Sequence, residues 1–150
     1  MKHFAPYALV WLLCMISLPG KAQLATNTKL FANAPDVINC QEADFNNIFA
    51  AQQGQSLSIN FSGNFSFSGT VVGNTIADNG SLQTVTIRSA VLDNTILNIS
   101  KRLDANRNTA YVGRIVNFKY LDGYELKRDA TGQYQFTKME TNKVVQPCKQ

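Results

Sequence analysis

The sequence predicts an α+β domain in which one N-terminal helix packs on a curved antiparallel sheet or small barrel of about seven strands. Three observations carry that expectation. Phe45, Ile48 and Phe49 repeat large apolar side chains at i, i+3 and i+4, the spacing of one helical face. From Leu57 onward the apolar period becomes two, as in a strand buried on one side only. Turn signals, Asn79-Gly80 and Asp129-Ala130-Thr131-Gly132 among them, then recur at the spacing of a meander.

Taken in order, Lys2 and His3 give a short basic start, and residues 9–18 form an apolar run too short to span a bilayer. Pro19-Gly20 breaks that run, and Gly20-Lys21-Ala22 places small residues where a signal peptidase reads. Residues 1–22 are therefore expected to be a signal peptide, with cleavage before Gln23 and a secreted or periplasmic product. Cys14 lies inside the apolar run, behind Leu12 and Leu13, which argues against a lipid anchor. No later stretch is apolar enough to cross a membrane as a helix, so no transmembrane segment is expected after cleavage. Residues 23–38, polar up to Pro35, read as a flexible leader, and residues 39–150 as the single α+β domain. Asn39 with Glu42 three residues later forms an Asn-x-x-Glu variant of the capping box and predicts a helix over 40–53, stopped by Gly54.

In the first strand pattern, Leu57, Ile59, Phe61, Phe65, Phe67 and Val71 share odd parity, with Ser or Asn at most even positions. A two-residue Gly63-Asn64 turn would set the aromatic faces in opposition, whereas a three-residue loop over 62–64 pairs Phe61 with Phe65. Parity favours the three-residue loop, or one bent strand. Asn79-Gly80 predicts a type I′ hairpin that lays Val72 opposite Ile87, between strands over 70–76 and 82–88. Further strands are expected over 95–103, 109–118 and 120–128. The Asp129–Gly132 turn then pairs Tyr124 and Leu126 with Phe136 and Tyr134 on one face, in a strand beginning near Gln133. Thr70-Val71-Val72-Gly73 is similar to the hairpin with which cystatins block cysteine proteases. The leading Gln of that motif is absent, the match covers four residues, and no family is assigned on it.

Removing residues 1–22 leaves 128 residues, enough for one domain with a real core. Lys2 and Lys21 leave with the leader, so 12 basic residues stand against 10 acidic ones, a net of +2. Electrostatic capture of nucleic acid needs concentrated Lys and Arg and is not expected. Cys40 and Cys148 remain, and in an exported chain two cysteines most simply form one disulfide. Such a bridge closes a loop worth about 4–5 kcal/mol in the chain-entropy model.

His3, the one histidine, also leaves with the leader. That excludes Ser-His-Asp and Cys-His nucleophile systems and the histidine-bearing zinc sites, so no catalytic residue, cofactor or metal is expected. The acidic residues of the second half lie mostly at turns, where Asp serves local backbone hydrogen bonding. Asp104-Ala105-Asn106-Arg107-Asn108 has the opening spacing of a calcium loop, but Thr109 stands where the sharp-turn glycine belongs and Ile115 where the bidentate Glu belongs; a polar hairpin loop is expected instead.

Lys101, Arg102, Arg107 and Arg114, interleaved with Tyr111 and Tyr120, form the expected partner-binding surface, suited to an acidic protein or a glycan through tyrosine stacking and cation–π contact. The competing reading is that these charges guard strand edges while the tyrosines cover the core. The functional expectation is a small exported disulfide-tied domain that binds, without catalysis, another secreted or cell-surface protein, as inhibitor or accessory partner. The alternatives are a carrier of a small apolar ligand inside the curved sheet and, third, a carboxylate-dependent hydrolase.

Overall fold

The computed structural model describes residues 29–61, 65–103, 106–120 and 122–140. The expected signal peptide, Cys148, and Asp104 and Ala105 of the calcium-like loop lie outside the described residues.

Among the described residues, eight strands form one antiparallel sheet and one α-helix accompanies it. The elements are β1 (Val37–Asn39), α1 (Glu42–Ala50), β2 (Ser56–Phe61), β3 (Phe65–Ala77), β4 (Leu82–Ser89), β5 (Thr95–Leu103), β6 (Thr109–Asn117), β7 (Asp122–Arg128) and β8 (Tyr134–Glu140). Strands β2 to β8 are a meander, and β1 joins its far edge beside β8. The eighth strand is β1, whose Val37 and Ile38 fall in the expected leader and whose Asn39 is the expected helix cap; the sheet, not the helix, makes up most of the fold. It curls into a half-barrel. Phe61 on β2 meets Phe136 on β8 edge to face at 5.4 Å, although five strands separate β2 from β8 in the hydrogen-bonded order. Closing the curl this way buries odd-numbered residues of β4 to β6 and even-numbered residues of β7 and β8 on the concave side.

The segment expected to be a loose leader is tied down from Lys29 onward. Phe31 is buried against Tyr124 (5.1 Å) and Phe65 (6.4 Å). The Asp122 carboxylate accepts the Leu30 and Phe31 N–H groups at 2.8 and 2.7 Å. Tyr124 Oη donates to Pro35 O at 2.7 Å, and Lys138 Nζ reaches Ala34 O at 2.8 Å and Asp36 Oδ1 at 2.9 Å. The strap then runs into β1, whose Ile38 lies opposite Phe136.

Edge pairing changes the helix start. Asn39 belongs to β1, so the expected cap is spent; Asp44 instead accepts the Gln41 N–H at 2.9 Å, one half of a capping box two residues later. The helix is shorter than 40–53, and Gly54, at φ +87, turns the chain into β2 rather than ending the helix. Side chains from the sheet satisfy the carbonyls at the helix end. Asn74 Nδ2 donates to Ala51 O at 2.7 Å, while Gln83 Nε2 donates to Phe49 O at 2.9 Å. Phe45, Ile48 and Phe49 are buried, with Phe45 4.5 Å from Tyr111 and 5.6 Å from Tyr134 between ring centroids.

Phe61 pairs with Phe65 as parity required. The Asn79-Gly80 hairpin sets its expected register close to the turn, with Ala77 opposite Leu82 and Gly73 opposite Thr86, through left-handed Asp78, Asn79 and Gly80. A bulge between Val71 and Gly73 then shifts the ladder, so that Val71, not Val72, faces Ile87. The cystatin-like tetrapeptide is thus a mid-strand bulge rather than a hairpin tip. On the last hairpin the four expected side chains share the concave face, but only Leu126 and Phe136 lie directly opposite. Tyr124 faces Lys138 and Tyr134 faces Arg128, because five residues, 129–133, separate the paired Arg128 and Tyr134 where the expected register leaves three, a two-residue slip that keeps each side chain on its face.

Candidate functional site

The six residues of the expected partner-binding surface do not come together. Lys101 and Tyr111 are cross-strand partners on the concave side, where Lys101 Nζ lies 5.3 Å over the Phe49 ring and Tyr111 is buried against Phe45, Phe49 and Tyr134. Burial raises the Tyr111 phenol above its ordinary pKa, as befits a core residue. Arg102 and Arg114 point to the convex side, but they lie opposite Ala110 and Asn98, about 13 Å apart along the strands at 3.3 Å per residue. Arg114 Nη2 is held by Glu125 Oε1 at 3.0 Å. Arg107 stands in the β5–β6 loop at φ +61, and Tyr120 is half-buried in the β6–β7 turn at the other end of the sheet. Alternation of side chains across β5 and β6 disperses what looks clustered along the chain.

That opposite end carries a different arrangement. The β4–β5 turn and the β6–β7 turn lie side by side because Thr95 and Asn117 are partners across β5 and β6. Asn117, 4% exposed, fills the junction with all its hydrogen-bonding capacity: Nδ2 donates to Asp93 O and Thr95 Oγ1, both at 2.7 Å, and Oδ1 accepts from Lys119 N at 2.7 Å and Tyr120 N at 3.3 Å. Phe118 N donates to Asn94 O at 3.1 Å. Lys119 Nζ meets Asp93 Oδ2 at 2.9 Å and holds that carboxyl below its usual range. Within the first turn, Ser89 Oγ accepts the Val91 and Leu92 N–H groups at 3.2 and 2.9 Å, and Ala90 N donates to Ser68 O at 2.9 Å.

On this braced base stand Val91, 78% exposed, and Phe118, 73% exposed. Single exposed apolar residues are ordinary on protein surfaces. Here two occupy adjoining turns whose backbones are fixed from below, so ordering them on contact with a partner costs little further entropy. In the sequence, Phe118 reads as the last residue of the strand over 109–118 and Val91 as a residue of no expected role. One signal was present: Tyr111, Ile115 and Asn117 share odd parity, which turns an even-numbered Phe118 outward.

Other expectations meet occupied positions. Phe61, Phe65, Phe67, Phe45 and Phe49 fill the concave interior that a small apolar ligand would use. Five of the described carboxylates of the second half serve separate structural tasks, Asp93 on Lys119, Asp122 on the strap, Glu125 on Arg114 and Lys127, Asp129 on its own turn and Glu140 on Lys29, while Asp78 stands apart from them in the β3–β4 turn. Among the described residues, no group of three or more His, Cys, Asp and Glu is arranged to hold a metal ion, and no helix is long and apolar enough to cross a membrane. Cys40 is half-buried beside Tyr134, with Sγ 3.6 Å from Ile38 O, and its expected disulfide partner lies outside the described residues. Compared with protein-family models, with curated proteins and with solved structures, the chain finds no match in any of the three.

Proposed function

We propose that this chain is an exported, non-catalytic binding module that offers the Val91 and Phe118 turns to an apolar pocket on another secreted or cell-surface protein. The observation that carries the reading is the bracing of two strongly exposed apolar side chains through Asn117, Asp93 and Lys119. Leaving an aromatic side chain in water forgoes about 1.5–3 kcal/mol of burial. A rigid anchor of that kind recovers the loss on docking, which is how interface hot spots behave. The absence of histidine after leader cleavage and the structural employment of the carboxylates support a role without turnover. A filled interior supports surface recognition over carriage of an apolar ligand.

The test is a photo-crosslinking side chain placed at Phe118 in the protein expressed in its native host, with a second placed at Thr75, an exposed position on β3. A discrete adduct from position 118 that Val91→Asp abolishes, with none from position 75, is the expected result. Equal adducts from both positions, or none from 118, would reject the reading. Phe118→Ala should weaken capture of the crosslinked partner at least tenfold while shifting stability by no more than about 0.5 kcal/mol.

A further inference from the structure

The convex face of the sheet continues the surface that Phe118 begins. Arg88, Ile96, Val116, Gly123 and Met139 are successive partners from β4 to β8, one row about 19 Å long at the spacing of neighbouring strands. Their chain neighbours Ile87, Leu97, Ile115 and Tyr124 are wholly buried on the concave side, so the row itself faces outward. Ile96, Val116 and Met139 are half-buried there. At Gly123 no side chain rises, and Met139 Cε reaches to 3.6 Å from where a Cβ would stand. Phe118 lies two residues beyond Val116. Its N–H still meets the Asn94 carbonyl at 3.1 Å, which prolongs the β5–β6 ladder and puts the ring on the same side as Val116. An aliphatic shelf thus carries an exposed ring at one rim. Along the opposite border opens a hollow of about 540 Å³, between Asn98, Val112, Arg114 and Val116.

Charge narrows what the shelf suits. Around it, Lys119 is paired with Asp93, Arg114 and Lys127 with Glu125, and Lys138 with Asp36. Arg88, exposed at the β4 end of the row, has no ion pair among the described residues. Two strand spacings across and two residues along separate it from Phe118, about 12 Å between Cα atoms. A guanidinium offers a planar fork of donors that matches a carboxylate.

We propose that the shelf is the remainder of the Phe118 site and takes an extended segment of the partner protein, with apolar side chains over Ile96, Val116 and Met139 and a carboxylate on Arg88. This rests on the reading of Phe118 as an anchor and adds the chemistry of what it anchors to. One free cation among neutralised neighbours suits one carboxylate, whereas an anionic lipid surface is held by several lysines and arginines together. Phe118 and the shelf supply apolar burial; Arg88 supplies register and partner choice.

The probe is a phage-displayed library of random peptides, selected on the full exported chain, with enriched peptides then synthesised and titrated. Large apolar residues combined with an Asp or Glu are the expected selection. Affinity should fall about tenfold or more for Phe118→Ala and for Arg88→Glu, and replacing the acidic residue of the peptide by Lys should restore binding to Arg88→Glu. Peptides that need Phe118 yet bind wild type and Arg88→Glu alike would overturn the proposal and leave the Phe118 reading standing. A library with no Phe118-dependent binder would also overturn it, and the crosslink from position 118 would then decide that reading separately. Binding to phosphatidylglycerol–phosphatidylcholine vesicles that both substitutions abolish would put a membrane in the segment's place and overturn it as well.

Discussion

Asp122 is 1% exposed, and a carboxylate so placed is costly unless its lone pairs are used. They are used by backbone: the N–H groups of Leu30 and Phe31, which hold the strap across the end of the half-barrel with Phe31 against Tyr124. Removing the acceptor leaves the buried Phe31 N–H and the part-buried Leu30 N–H unsatisfied. Asp122→Ala should therefore lower stability by about 2–4 kcal/mol in urea denaturation, with the sheet's circular dichroism retained and the chain newly cleavable near Lys29. Asp122→Asn keeps one acceptor oxygen and should cost less than half as much. None of this was legible in the sequence, where Asp122 reads as one more turn aspartate and residues 23–38 as leader. The partners lie 92 and 91 positions away and are main-chain groups, which every residue carries alike.

At the level of strands, β3 carried two signals that could not both hold along one unbroken ladder. Odd parity from Phe65 to Val71 and the Asn79-Gly80 turn were each correct, and together they placed Val72 where Val71 had to be. The bulge reconciles them, admitting one extra residue so that Phe67 and Val71 stay inside while Asn74 comes in to hold the helix end. Register beyond a turn is therefore readable only as far as the next irregularity. Where strands press closely, glycine marks the place: a Cβ on Gly69 would collide with the Arg88 carbonyl, and one on Gly123 with the Ile115 carbonyl. Gly73, beside the bulge, would meet nothing within 4 Å. Gly69→Ala and Gly123→Ala should each cost more than about 2 kcal/mol in chemical denaturation, whereas Gly73→Ala should stay within about 0.5 kcal/mol of wild type. Equal losses at all three would mean that strand propensity, not contact, governs these positions.

Across the whole molecule, the meander and its helix were readable because period and turn chemistry are local, while the adjacency of the turns that carry Val91 and Phe118 was not, because it depends on which strands neighbour one another. The same long-range packing sets the response to pH. On the acid side, Lys138 holds Asp36 low, Lys119 holds Asp93 low, and Lys127 with Arg114 holds Glu125 low. Depressed folded values mean that their contribution is complete above the ordinary carboxylate range near pH 4 and is lost as pH falls through the lowered values. On the alkaline side the sign reverses. Burial pushes the Cys40 thiol from 9.0 up to about 12 and the Tyr124 phenol from 10.0 up to about 12. The folded state keeps these groups neutral after the unfolded chain has begun to ionise them, so stability is full below the unfolded values and declines as pH climbs toward 12. Ionised Tyr124 could no longer donate to Pro35 O, which adds the strap to what is lost. With Cys40 a free thiol, the melting temperature of the reduced protein should begin to fall near pH 9 and fall further beyond about pH 10, as Tyr124 follows. Cys40→Ala should move the onset to about pH 10, leaving Tyr124 to set it. Melting curves across pH 5 to 11 decide the matter: the same alkaline onset in the reduced wild type and in Cys40→Ala would show that Cys40 does not couple its proton to folding.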